Sequence, residues 1–154
     1  MQTMYDTYSS RDVVRIAGIS YRQLDYWARI GLVPEPQPRI QTGAPAWTRQ
    51  PRTSRRWTRR WTTEDLFSVA TLAEARKMVS IDGLQAAADR LFAMEVGEWR
   101  SAVECDSLLV IASDLAVVIN RVDLETFCRA KGAFVVVPLG AVVQDVTLGL
   151  RVAA

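Results

Sequence analysis

The residues best suited to do chemistry in this 154-residue chain are arginines, and they crowd into its first third. Arg39, Arg49, Arg52, Arg55, Arg56, Arg59 and Arg60 stand in a stretch with no acidic residue from Pro36 to Thr63. A guanidinium is a planar, permanently charged fork that matches two phosphate oxygens at once. Upstream lies a second polar group: Ser20, Tyr21, Arg22 and Gln23, followed by Tyr26 and Arg29, with Arg15 before them. Arg can grip guanine O6 and N7 and Gln can grip adenine N6 and N7, each such pair giving ~1–3 kcal/mol of discrimination. Ser and Tyr hydroxyls suit phosphates.

The overall charge of +2 conceals an asymmetry. Residues 11–62 hold eleven Arg against Asp12, Asp25 and Glu35, whereas residues 63–154 are net acidic. A basic head beside an acidic tail implies a polyanion held at one end. Other chemistries are poorly served. There is no histidine, which excludes Ser-His-Asp and Cys-His catalysis. Two cysteines, Cys105 and Cys128, fall short of the four Cys or His ligands of a structural zinc site. They read as reduced thiols packed among apolar neighbours, with a redox pair or an intersubunit metal site as the alternative. No glycine-rich phosphate loop is present either. The expectation is a binding protein, not an enzyme, with no cofactor and no metal. No apolar run approaches the ~20 residues of a membrane span, and the polar start has no secretory stretch, so a cytoplasmic location is expected.

Helical elements must position these groups. Ser10 reads as the cap of a first short helix, with Val13, Ile16 and Ala17 on one face. Gly18-Ile19 makes a turn, and Ser20 caps a second helix over Tyr21 to Ile30, whose Leu24, Trp27 and Ala28 point inward. Gly31 ends it, and Pro34, Pro36 and Pro38 forbid helix beyond. Two short helices across a glycine turn predict a helix-turn-helix. Residues 34–61 then read as an extended hairpin, or wing, carrying the arginines and Trp47, Trp57 and Trp61. Thr62 caps a third helix that keeps its period to about Val79, and Asp82 caps a fourth with the stripe Leu84, Ala88, Leu91 and Phe92. Past Gly97 the pattern changes. β-Branched runs at 107–112 and 115–119 joined at Ser113-Asp114, a helix from Asp123 to Ala130, a strand at 134–137 ended by Pro138, and a last helix predict a β-β-α-β-α unit. The fold class is therefore α+β, with a winged helix-turn-helix over residues 8–95 and a small α/β domain over 98–154.

Several of these runs together resemble a known family. Gly18-Ile19-Ser20, Leu24-Asp25-Tyr26-Trp27-Ala28-Arg29, Gly31-Leu32-Val33-Pro34 and Arg59-Arg60-Trp61-Thr62-Thr63-Glu64-Asp65-Leu66 are similar to the head of MerR-type regulators. The likeness is greatest to an actinobacterial subgroup with the run "LDYWA…GLV", which includes regulators of cell-division genes. The resemblance implies that the second helix and the wing contact DNA and that a dimer binds an inverted repeat. It places Tyr21 and Arg22 against DNA, Arg59 as the wing arginine and Trp61 as the aromatic at the wing's end. Asp25 stands where Arg is usual, Thr58 where an aromatic is usual, and the wing is longer than the family's.

The expectation is a sequence-specific, double-stranded-DNA-binding transcription regulator, associated with the nucleoid when bound and with RNA polymerase as a candidate partner. Its expected DNA-binding residues are Arg15, Ser20, Tyr21, Arg22, Gln23, Tyr26, Arg29, Arg39, Arg55, Arg56, Arg59 and Arg60. The alternative is an architectural, excision-type or phage or plasmid control protein using the same head. The chain lacks the long antiparallel helix that links family dimers. The stripe Val142, Val143, Val146 and Leu150 is one candidate for dimerisation, and intradomain core is its other reading.

Overall fold

A computed structural model describes residues 7–34, 60–113, 115–131 and 133–153. The head opens with strand β1 (Tyr8–Ser9) and helix α1 (Ser10–Ala17). The cap of α1 is Ser9, not Ser10: the Ser9 hydroxyl accepts the Asp12 N–H at 3.3 Å, and the Asp12 carboxylate accepts the Ser9 N–H at 3.0 Å. The reason is that Ser10 is used elsewhere. Its hydroxyl accepts the indole N–H of the buried Trp61 at 3.1 Å. Gly18 ends α1 at φ 67°, a left-handed conformation open to glycine without a Cβ penalty. Ile19 turns into the core.

Helix α2 (Tyr21–Arg29) follows at once, with Leu24 and Trp27 buried as their spacing requires. Leu32 and Val33 are buried beyond it. Strand β2 (Arg60–Trp61) then pairs antiparallel with β1, Tyr8 facing Trp61 and Ser9 facing Arg60. Trp61, 1% exposed, thereby clamps the end of the arginine-rich segment onto α1.

Helix α3 (Thr63–Arg76) is the centre of the molecule. Thr62 and Asp65 form its capping box, and the helix stops at Arg76, short of Val79. Leu66, Val69, Leu72 and Ala75 are buried, and so are Ser68 and Thr71. Burial this far round a helix means that neighbours pack on nearly every side. The two hydroxyls are satisfied locally, Ser68 by the Glu64 carbonyl at 3.0 Å and Thr71 by the Phe67 carbonyl at 2.7 Å.

A single turn of 3-10 helix (Asp82–Leu84) leads into α4 (Gln85–Phe92), so Asp82 lies within the turn and makes no side-chain cap. Helix α5 (Val96–Glu104) is an element the sequence pattern does not signal; Trp99 and Ala102 anchor it in the core. The sheet consists of β3 (Ser107–Ala112), β4 (Leu115–Asn120) and β5 (Val135–Pro138), in the order β4-β3-β5 with both pairings antiparallel. All six residues of the central β3 are buried. Helix α6 (Leu124–Lys131) lies between β4 and β5 in sequence. Pro138 is the last residue of β5, and α7 (Leu139–Ala153) begins directly after it. Cys105 is exposed and Cys128 half-buried, both as free thiols, so Cys105 is not the packed residue expected.

The tail does not stand apart from the head. One hydrophobic cluster runs from Val13 of α1 through α3 and α4 to Leu109 and Ile111 of β3 and Val142 and Val146 of α7. The boundary expected between residues 95 and 98 falls inside this continuous core. The candidate dimerisation stripe is likewise occupied within the chain: Val142 and Val146 are buried, and Val143 and Leu150 pack against the same cluster. Its position between α3 and α1 leaves it facing inward.

Candidate nucleic-acid interface

The sequence of α2 divides its circumference in two. Leu24 and Trp27 lock one side into the core, which leaves Tyr21, Arg22, Gln23, Asp25, Tyr26 and Arg29 on the exposed side. Tyr21 is 55% exposed and Tyr26 45%. They stand five residues apart, ~140° from each other around the exposed side of the helix. The guanidinium groups of Arg22 and Arg29 flank the two rings on this exposed side.

The cations differ in their freedom. Arg22 makes no ion pair among the described residues. Arg29 pairs with Asp25 at 3.0 Å, both side chains being about 70% exposed. Pairs in such solvent contribute ~0–1 kcal/mol, so a phosphate can displace the carboxylate cheaply. Arg15 lies 3.9 Å from Asp12. The Asp12 carboxyl is held below its ordinary range, chiefly by the Ser9 hydroxyl and then the Ser9 amide, with Arg15 and Arg11 adding to the effect. Arg60 is exposed on β2 and donates to the Thr7 hydroxyl at 3.4 Å. Its neighbour Trp61 is fully enclosed and serves as an anchor.

Ser20 and Gln23 hold a different position from the one their side chains first suggest. The Ser20 hydroxyl accepts the Gln23 N–H at 3.1 Å, and Gln23 Oε1 accepts the Ser20 N–H at 2.9 Å. This reciprocal capping box uses the one oxygen that Gln23 would need to accept from adenine N6. The S-x-x-Q spacing that signals it was present in the sequence. Gln23 and Ser20 therefore fix the start of α2, and Tyr21, Arg22, Tyr26 and Arg29 project from it. Arg39, Arg55, Arg56 and Arg59, like Arg49 and Arg52, lie outside the described residues; Arg60 is the one wing arginine within them.

The arrangement can present a short, doubly capped helix with two open rings and separated cations to a polyanion. Such a helix fits the ~12 Å major groove of B-DNA. Comparison with known proteins agrees in kind. Residues 8–43 match the family described as MerR HTH family regulatory protein. No curated protein matches the chain. The match spans α1, the Gly18 turn and α2, so the segment presenting Tyr21 to Arg29 is similar to a regulatory DNA-binding helix-turn-helix.

Proposed function

We propose that the chain is a sequence-specific regulator of transcription that binds double-stranded DNA as a dimer on an inverted repeat. The observation that carries this reading is the exposed face of α2. Arg22 stands there without an ion pair among the described residues, between two open tyrosines, in the segment that resembles MerR-type heads. In this reading α2 enters the major groove, with Arg22 reading a guanine and Tyr21 and Tyr26 contacting sugar, phosphate or thymine methyl. Arg15, Arg29 and Arg60 hold the flanking phosphates, and the wing arginines at 39, 55, 56 and 59 extend that contact. Ser20 and Gln23 act as positioning residues. The reading is of a binding protein and assigns no catalytic residue.

The likeness to the actinobacterial subgroup, a nucleoid location and contact with RNA polymerase belong to the same proposal. No helix among the described residues is long and apolar enough to cross a membrane. The test compares wild type with Arg22→Ala on a site selected from random duplexes and on unselected DNA, at fixed salt. Loss of ~1–3 kcal/mol on the selected site, with little change on the other, is the expected result. Equal losses on both would reduce Arg22 to a phosphate contact.

A further inference from the structure

The two outer edges of the sheet are treated differently. That of β5 is four residues long, ends in Pro138 and lies against α3. Proline and short length are devices that stop a strand from pairing further. β4 packs against α4 as β5 does against α3, but its edge has neither the proline nor the short length. It runs six residues, Leu115-Ala116-Val117-Val118-Ile119-Asn120, with no charge, no proline and no glycine. β3 is its only strand neighbour among the described residues, so one row of β4 backbone N–H and C=O groups has no ladder partner. Its side chains from Ala116 to Ile119 are only half-buried, and Leu115 is 36% exposed. An uncharged, β-branched open edge is a template for another strand.

We infer that β4 pairs with β4 of a second copy of this chain, joining the two three-stranded sheets into one of six. The strand's own sequence favours a second copy as occupant. A two-fold axis perpendicular to the sheet keeps each copy's faces on the same sides. It therefore allows only registers in which directly opposed residues share parity. Centring on Val117 sets Val117 against Val117, Ala116 against Val118 and Leu115 against Ile119. All pairs within 115–119 are apolar, and Ala116 meets the larger Val118. Centring on Val118 instead would set Leu115 against Arg121 and Ala116 against Asn120. The composition thus selects the first register. The ladder provides the unpaired amides with partners and covers the half-buried valines in one step.

This pairing provides a surface for the dimer proposed above, and it is tested without DNA. Sedimentation equilibrium of the full chain should give twice the monomer mass. Val117→Lys places two ammonium groups face to face on the axis and should weaken self-association on the order of 100-fold. Because Val117→Lys could perturb folding, a second variant carries the same question. Val117→Cys, with Cys105→Ser and Cys128→Ser, should be joined into a covalent dimer by a short thiol–thiol crosslinker, since opposed Cβ atoms lie ~4.5–5.5 Å apart. Val122→Cys, 85% exposed beyond the strand, should not. A monomer at high concentration, a dimer untouched by Val117→Lys, or equal crosslinking at 122 would overturn the pairing. A monomer that still bound duplex DNA would overturn it and leave the DNA-binding reading standing.

Discussion

Gln23 offers a prediction that separates two roles for one side chain. Its Oε1 accepts the Ser20 amide at 2.9 Å, while its own amide donates to the Ser20 hydroxyl at 3.1 Å. Gln23→Ala removes the first bond and keeps the second, because the backbone N–H of residue 23 survives. The Ser20 amide is exposed and turns to water, so the net loss is that of one solvated hydrogen bond, ~0.5–1 kcal/mol. Gln23→Glu retains the acceptor and adds negative charge at the N-terminus of α2, where the helix dipole favours it by ~0.3–1 kcal/mol. Stability should therefore rank Glu at or above Gln, with Ala lowest, in urea unfolding of the three proteins. DNA binding supplies the second readout. A capping residue changed to Ala should weaken binding at most ~5-fold and leave the preferred sequence unaltered. If Gln23→Ala leaves stability untouched and instead relaxes preference at one adenine position, the capping argument is wrong and Gln23 reads a base.

Four further outcomes follow, the first being the Arg22→Ala comparison above. Asp12 has a lowered pKa in the folded chain, so its stabilisation is complete above the unfolded value of 3.8 and is lost as pH falls through the folded one. Asp12→Asn should flatten the acid limb of stability measured below about pH 4 and leave neutral stability less affected by salt. Gly149 lies inside α7, and a Cβ there would meet Ile16 side-chain atoms at 3.6 Å, an ordinary contact. Gly149→Ala should therefore stabilise the chain by ~0.5–1 kcal/mol in thermal unfolding. Val146 is 2% exposed within the chain's own core, so Val146→Ala should cost about 2 kcal/mol in urea unfolding. It should leave the sedimenting mass unchanged; a shift to monomer would mean that the stripe is an intersubunit seam after all.

The head was legible because its signals are local. Leu24 and Trp27 repeat at helical spacing, Gly18 occupies the left-handed turn, and Thr62 heads α3, each decided by residues within a few positions. The errors there were local competitions. Ser9 and Ser10 are adjacent hydroxyls, and only the long-range bond from Trp61 to Ser10 shows which one is left to cap. Gln23 had two chemistries available, and the capping box engages the oxygen that base reading would need. The tail's strands could be read from their β-branched runs, whereas α5 could not. Its polar residues Glu98, Arg100 and Ser101 interrupt any stripe, and only packing reveals Trp99 and Ala102 as its inward face. Least legible was the partner of α7. A stripe such as Val142, Val143, Val146 and Leu150 looks the same whether it meets its own chain or another, and tertiary structure alone distinguishes them.

Because α3 is shared by the helix-turn-helix on one side and by the sheet and α7 on the other, α2 has no hinge of its own among the described elements. In any paired assembly held through the tail, the span from one α2 to its mate is thus set like the gap of a fixed caliper. One base pair added between half-sites moves them ~3.4 Å apart and turns them about a tenth of a revolution, which such a frame cannot follow by swivelling. The duplex would have to twist or bend to meet it, and spacer length would be discriminated as sharply as base identity.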